Sequence, residues 1–498
     1  MNTENIAYQG ELSYSLPEIF NHKDYSEYRS LIERMDEILK QSSLDLHFAN
    51  DYVNRIIEEC ILNGNTRNLT AKEISKFAQY AIRAYRCTLL GILIGKSYRE
   101  LSILIAESLL LQQFCTVARI DGQIKVPTKS TLQRFSKLFD EEFIREQITL
   151  LNDHASHGSN YLGFRDPFEI EDIFVDATCL KARIHFPVDW VLMKDCMLTV
   201  IKAVLVIRKH GLKHRIKTPE IFISELNALC MSMTSLSRDR QSKKKRKAVF
   251  RKLKKMAGII RAHGRRYADL LMDKREEKTD LSEAEANCIL ARLEKMIKIL
   301  PEAVDQANSR IITGKLVDNE DKLLSVYHEN VNVIKRGKAG GQVEFGNTLF
   351  IAEQADGIIV DWQLYQTDIK EPRATKESVM RMTEELELDI ASLTGDRGCQ
   401  SIRNDKLLAG KNIYNGLCPR NPLEFAERIQ KEKFRKLQKR RAQTEGRIGI
   451  LKNVILDGSL YEKEFEGKQL KVGWAVLVHN LWCMARLPVK EKKIEKAA

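Results

Sequence analysis

Residues 171–180 read EDIFVDATCL, a short run of β-branched and aromatic residues between polar ones. This composition predicts a β-strand, and the strand carries Asp176 among its apolar side chains. A carboxylate without a partner is costly in such a place, because burial penalises its charge. Asp176 is therefore the first candidate for a residue with a chemical role.

The chain before this strand has a helical pattern. Apolar residues recur every three or four positions in DYSEYRSLIERMDEILKQS (24–42), which predicts an amphipathic helix. A second helix is predicted from Ser97, where Glu100 completes a capping box, and a third from Ser130. We therefore predict an all-α N-terminal domain over residues 1–150.

The last two of these helices are a candidate helix-turn-helix. They flank the loop RIDGQIKVPTK (119–129), and the second helix begins with polar residues that include Ser130 and Arg134. A helix start of this kind can enter a groove of DNA. Ordinary helix packing explains the same pattern, and the local sequence does not decide between the two.

Helical periodicity returns after residue 190, and further strands follow it. Predicted strands are 323–334, 347–354, 357–365, 388–396 and 412–418, and predicted helices are 400–410, 422–456 and 472–486. Ala355-Asp356-Gly357 is a hairpin-type turn. The predicted fold class is α/β, with a mixed-sheet core over 165–190 and 321–486 that is split by a large helical insertion at 191–320.

Positive charge is concentrated in two stretches. The chain has 81 Lys and Arg against 68 Asp and Glu, a net charge of +13, and residues 236–275 alone hold 16 basic against 3 acidic residues. Residues 426–452 hold 10 against 3. Such concentration favours binding to nucleic-acid phosphates, with a solvated helix face as the alternative. The densest run, and the DNA-binding candidate, is Lys243, Lys244, Lys245, Arg246 and Lys247.

Other classes of protein are disfavoured. The longest uncharged apolar stretch, CTLLGILIG at 87–95, is too short to span a bilayer, so no membrane partner is predicted. The N-terminus lacks the basic and apolar regions of a secretory signal. The ten cysteines form no CxxC pair, which excludes zinc fingers and thioredoxin-like chemistry. Free thiols suit a reducing cytoplasm, which is the predicted location.

Two more carboxylates stand out by position. Asp396 ends the predicted strand LDIASLTGD and precedes Arg397-Gly398. Glu445 lies in RRAQTEGRIGILK (440–452), a basic predicted helix with apolar anchors. Together with Asp176 they supply oxygen ligands of the kind that Mg²⁺ prefers. Two such ions can activate water or a 3′-hydroxyl and stabilise the leaving oxygen of a phosphodiester.

Three blocks resemble the catalytic blocks of DDE-type insertion-sequence transposases. They are VDATCLKARIHFPVDW (175–190), TGDRG (394–398) and RRAQTEGRIGILK. In a large branch of that family the third block reads Tyr, two residues, Arg, three residues, Glu, six residues, Lys. Arg441, Glu445 and Lys452 fit this spacing, whereas Gln438 stands at the Tyr position.

The resemblance implies an RNase H-like core and a DNA transposase that binds terminal inverted repeats, cleaves strands and transfers them. Asp176, Asp396 and Glu445 would be its catalytic residues and would bind two Mg²⁺ ions, for which Mn²⁺ can substitute. Arg441 and Lys452 would hold phosphate, with Arg440 as a further DNA-binding candidate. The implied partners are the double-stranded DNA of the transposon ends and of the target. A homodimer in the DNA complex and association with the nucleoid when bound are also implied.

Two other functions fit parts of the pattern. A catalytically inactive, transposase-derived DNA-binding protein would keep the basic stretches, and an RNase H-like nuclease would keep the carboxylates. Five other aspartates near the blocks are predicted to be turn or surface residues: Asp189, Asp195, Asp356, Asp361 and Asp368. Trp190 and Trp362 are predicted to be core residues rather than base-stacking ones.

Overall fold

The chain is a mixed α/β protein, shown by a computed structural model to form two compact units. The first unit comprises residues 1–181, 348–365 and 369–498, and the second comprises 182–347 and 366–368. The structure describes residues 16–64, 69–117, 124–157, 161–166, 168–214, 218–237, 240–335 and 343–490.

Within the residues that the structure describes, seven α-helices precede the sheet. They are α1 (Lys23–Gln41), α2 (Leu44–Leu62), α3 (Ala71–Ile94), α4 (Tyr98–Glu107), α5 (Leu109–Phe114), α6 (Lys129–Phe135) and α7 (Glu141–Ser156). Ser97 and Glu100 form the predicted capping box of α4. The prediction that this helix continues to residue 114 is wrong, because Ser108 is extended and its hydroxyl accepts the Leu111 N–H to start α5.

In the described part of the chain, seven strands form one sheet. They are β1 (Asp172–Ala182), β2 (Asn332–Lys335), β3 (Val343–Glu353), β4 (Ile359–Leu364), β5 (Ser392–Thr394), β6 (Tyr414–Asn415) and β7 (Ser459–Leu460). The order is β2-β3-β1-β5-β6, with β4 paired to β3 and β7 paired to β1. β5 runs parallel to both β1 and β6, and β4 runs antiparallel to β3. Gly357, with φ +92°, supplies the positive φ in the turn between β3 and β4.

Four long helices between β1 and β2 make up the insertion: α8 (Asp189–Lys209), α9 (Pro219–Ser237), α10 (Lys243–Lys278) and α11 (Glu283–Asn308). They share an apolar core of their own. Pro301 lies inside α11 and has no N–H to donate to the Ile297 carbonyl four residues earlier. The Arg261 Nε of α10 donates to that carbonyl at 3.1 Å, so the freed acceptor is satisfied from the neighbouring helix.

Five helices follow β4: α12 (Glu371–Met380), α13 (Ile402–Gly410), α14 (Pro422–Arg428), α15 (Glu432–Ile450) and α16 (Phe465–Met484). The single helix predicted over 422–456 is wrong, since Lys431 is extended between α14 and α15 and a π-helical turn follows at Leu451–Ile455.

The strand predicted over 323–334 is also wrong for most of its length. Only residues from Asn332 onward pair, with β3. Before them, the Ser325 hydroxyl accepts the backbone N–H groups of Tyr327 and His328, and the Gln306 side chain accepts the N–H of Leu323. These side chains accept backbone hydrogen bonds that a partner strand would otherwise accept.

The N-terminal helices and the sheet share one hydrophobic core in the first unit. The Phe48 ring of α2 stacks on Tyr85 of α3, with 4.1 Å between ring centroids, and on Trp474 of α16, with 5.9 Å. The same core includes Leu349 of β3 and Trp362 of β4, both buried. The helices over 1–150 therefore pack with the sheet in one unit, although the sequence predicts them as a domain of their own.

Candidate active site

Parallel pairing sets Asp176 and Asp396 at matching positions. Phe174 of β1 pairs with Thr394 of β5, and each aspartate lies two residues beyond its member of this pair. The buried residues before Asp176 hold β1 in the core, while Asp176 itself is half-buried. The backbone N–H of Ala177 donates to its Oδ1 at 2.8 Å.

Asp396 is fixed by the backbone that follows it. The N–H groups of Gly398 and Cys399 donate to its Oδ1 at 2.7 and 3.1 Å. A side chain at Gly398 would collide with the Glu371 carboxylate, which explains why glycine stands there. The TGDRG block is thus a turn that orients one carboxylate oxygen and leaves room for a second acidic residue.

Gln438, at the position of the family's tyrosine, has a structural role. Its Nε2 donates to the Gly416 carbonyl at 2.7 Å, next to β6, and lies 3.4 Å from the Gly395 carbonyl, next to β5. Its Oε1 accepts from the Arg441 Nε at 3.3 Å. The amide therefore links α15 to the ends of two parallel strands and orients Arg441.

Glu445 lies one helical turn after Arg441. The Arg441 Nη1 is 3.6 Å from the Glu445 Oε1, and the Glu445 side chain is 64% exposed. The pKa of Asp176 is raised to about 6, mainly by burial and also by the charges of Asp396 and Glu445, whereas the Ala177 N–H and the charge of Arg441 lower it. The charges of the other two predicted carboxylates therefore act on Asp176, and all three side chains offer only oxygen ligands.

The raised pKa of Asp176 predicts a pH-dependent stability. Since the folded protein keeps this proton up to about pH 6 and the unfolded chain only to its usual value of 3.8, stability falls as pH rises between these values. In metal-free buffer, Asp176→Asn should raise the free energy of unfolding by about 1–3 kcal/mol at pH 7.5. Urea unfolding at pH 7.5 and pH 4 measures the difference, which should nearly vanish at pH 4. The same difference in free energy of unfolding between wild type and Asp176→Asn at both pH values would contradict this prediction.

A buried ionic cluster beside the site is not predicted from the sequence. Glu353, at the end of β3, is almost fully buried and accepts from the Thr444 hydroxyl at 2.8 Å and from the Arg440 Nη2 at 3.0 Å. Arg447 is 3.5 Å away. Arg440 also lies over the Phe174 ring at 4.4 Å from its centroid. Arg440 thus anchors α15 on the hairpin, and DNA contact through it stays a prediction.

Glu371 is not predicted from the sequence either. It is the first residue of α12 and, with Asp396 and Cys399, offers ligand atoms within 4.8 Å of one another. Burial raises the pKa of the Cys399 thiol well above its usual range. The sequence signal for Glu371 is the Glu-Pro pair that starts α12, with six residues between the end of β4 and this helix.

The other predicted DNA-binding residues lie apart in the chain. Ser130 and Arg134 are exposed on α6, while residues 118–123 of the candidate helix-turn-helix lie outside the described residues. Lys452 lies in the π-helical turn after α15.

The five basic residues 243–247 of the insertion differ in their exposure to solvent. Lys243, Lys244 and Lys245 are exposed on α10, Arg246 is half-buried, and the Lys247 Nζ donates to the Ile312 carbonyl at 2.7 Å.

The predictions for the other aspartates and for the tryptophans near the blocks have mixed outcomes. Asp189 and Asp361, predicted as surface residues, are buried, because Arg310 and Gln306 hold the first and Arg381 and Ser378 the second. Trp362 is buried in the core as predicted.

Across the described residues, no helix combines the length and hydropathy that crossing a membrane requires. No family model, curated protein or solved structure matches the chain.

Proposed function

We propose that the chain is a DDE-type DNA transposase that binds the terminal inverted repeats of an insertion sequence and catalyses metal-dependent strand cleavage and transfer. The observation that carries this proposal is the parallel register that brings Asp176 beside Asp396, with the Glu445 charge acting on the same carboxyl group.

The sheet supports an RNase H-like core. β1 lies between β3, which pairs with β4 as an antiparallel hairpin, and β5, which continues in parallel to β6. The first aspartate lies on the central strand and the second follows its parallel neighbour. This is the arrangement that we expect of a nuclease or transposase core of this class.

The donor set fits divalent metal ions. Asp176, Asp396 and Glu445 would hold two Mg²⁺ ions, or Mn²⁺ in their place, because all three offer carboxylate oxygens and their mutual repulsion is relieved by a cation. When bound, the ions would supply Lewis-acid stabilisation to an attacking and a leaving oxygen.

The surrounding residues keep this donor set in place. Gly398 and Cys399 amides orient Asp396, and Arg441 holds positive charge beside Glu445 where a phosphate would lie. Neither strand cleavage nor strand transfer needs a covalent enzyme intermediate.

DNA binding is proposed for the exposed basic residues. The transposon ends and the target would be double-stranded DNA, and joining two ends would require at least a homodimer. The protein would act in the cytoplasm, on the nucleoid.

The test uses the full chain and duplexes made from the DNA that flanks its gene on both sides. Incubation with Mg²⁺ should nick these duplexes at their ends and join the freed 3′-hydroxyl to a supercoiled plasmid, whereas EDTA should stop both reactions. Binding without nicking would favour the inactive DNA-binding protein. Nicking without joined products would favour the RNase H-like nuclease, and either result would contradict the proposal.

A further inference from the structure

The outer face of α10 carries an unusual density of positive charge. From residue 243 to 268 the helix has twelve Lys and Arg and no Asp or Glu. Its inner face, with Phe250, Leu253 and Ile260, is buried in the core of the insertion. Nine of the basic residues are exposed: Lys243, Lys244, Lys245, Arg251, Lys252, Lys254, Lys255, Arg265 and Arg266.

Two other basic residues of α10, and one of the nine, have polar partners within the insertion. Lys247 and Arg261 donate to backbone carbonyls within the insertion. Lys254 approaches the Asn308 side chain at 3.3 Å. Within the described part of the chain, no carboxylate forms an ion pair with any of the nine.

Placing these charges on one helix is unfavourable for the isolated protein. Like charges on one face repel one another, and the first turn of a helix carries partial positive charge of its own. Three consecutive lysines occupy that first turn, and the Ser242 hydroxyl donates to the Leu236 carbonyl instead of capping the helix. A bound polyanion would relieve both kinds of repulsion.

The spacing of the charges matches a DNA duplex. Lys244, Arg251, Lys255 and Arg266 are separated by seven, four and eleven residues, intervals that return to one helix face. The first and last are about 33 Å apart along the axis, close to the roughly 34 Å of one turn of B-DNA.

Other polyanions fit this face less well. The aromatic residues Phe250 and Tyr267 are buried, so the face offers no ring on which single-stranded bases would stack. Among the large apolar side chains of α10 only Ile259 and Met272 are exposed, so the helix lacks the continuous apolar surface that an interfacial membrane helix inserts.

We propose that this face of α10 binds the phosphate backbone of duplex DNA over about one helical turn, independently of base sequence. Phosphate contacts position a duplex without reading it, which is what target DNA requires. The inference rests on the proposed function and adds to it a surface that holds target DNA.

The test compares two variants of the full chain with equal loss of charge. One replaces Lys244, Arg251, Lys255 and Arg266 with Gln. The matched control replaces four other exposed basic residues of the same insertion with Gln: Lys274, Lys278, Arg292 and Lys298. Binding of a labelled 30-base-pair duplex of unrelated sequence is measured by fluorescence anisotropy in EDTA over a range of salt concentrations.

Four lost phosphate contacts should reduce the slope of log affinity against log salt by about 3–4, and the control should change it by less than about 1. Affinity of the first variant at 0.15 M salt should fall at least about tenfold. Equal slopes for wild type and this variant would overturn the proposal. Stronger competition by single-stranded RNA or phosphatidylserine vesicles than by unlabelled duplex would also overturn it.

A footprint on the wild-type protein checks the surface without any variant. Duplex binding should protect Lys244, Lys252 and Lys255 from acetylation and leave Lys274 and Lys298 reactive, and the reverse pattern would contradict the proposal. Cleavage of end DNA together with an unchanged slope would refute the surface alone. The expected slope change without any Mg²⁺-dependent cleavage would refute the proposed function alone.

Discussion

Replacing Asp396 with Asn is expected to reduce Mg²⁺-dependent cleavage of end DNA by about 10²–10³-fold or more, the loss typical of removing one charge-stabilising group. The neutral amide can still accept the Gly398 and Cys399 N–H groups that hold the carboxylate now, so the turn should persist. It supplies no negative charge to a divalent cation, however. Cleavage rates under single-turnover conditions measure the effect, and anisotropy in EDTA should show unchanged DNA binding.

Asp389→Asn is the matched control, because this exposed aspartate precedes the same strand. Its cleavage rate should remain within about twofold of wild type, as expected of a surface change remote from the metal ligands. A further variant, Asp396→Cys, should regain activity with Mn²⁺ but not with Mg²⁺, because thiolates prefer softer metal ions. Full activity of Asp396→Asn in Mg²⁺ would contradict the assignment of Asp396 as a metal ligand.

Replacing Glu353 with Gln is expected to lower the free energy of unfolding by about 2–4 kcal/mol, because it leaves Arg440 and Arg447 without their buried counter-charge. The Glu353 side chain is only 2% exposed, and both guanidinium groups are mostly buried. Urea unfolding followed by circular dichroism measures the change.

An exposed ion pair in α15, the helix that carries Arg440 and Arg447, provides the comparison. Glu432 and Lys436 form an ion pair at 2.8 Å, but their side chains are 66% and 75% exposed. Glu432→Gln should therefore cost less than about 0.5 kcal/mol. Equal losses for the two variants would show that burial does not determine the strength of the Glu353 cluster.

The sequence predicts most of the sheet because its strands are strongly patterned. β4 lies within its predicted range and the hairpin turn is at Asp356 as predicted, whereas β1 ends two residues after its predicted end and β3 begins four residues before its predicted start. β5 and β6 are much shorter than predicted, since only a few residues of each form parallel pairs. Residues 323–331 are predicted as part of a strand and have suitable apolar residues. The side chains of Ser325 and Gln306 instead accept hydrogen bonds from backbone N–H groups of this segment.

The site is predicted only where a motif selects it. Glu353 gives the same local signal as Asp176, a carboxylate in an apolar strand, yet its partners Arg440 and Arg447 lie 87 and 94 residues later. No local rule distinguishes a structural carboxylate from a metal ligand when the deciding neighbour is so distant. The role of Gln438 could not be predicted for the same reason, because its acceptors belong to loops after two other strands.

The contact between Arg261 and the carbonyl that Pro301 leaves free has an evolutionary consequence. A homologue with an ordinary residue at position 301 would satisfy the Ile297 carbonyl within its own helix. Selection would then no longer require arginine at 261, and that position could drift to a neutral residue. Proline at 301 and arginine at 261 should therefore be gained and lost together, and an alignment of homologues should show the two positions covarying.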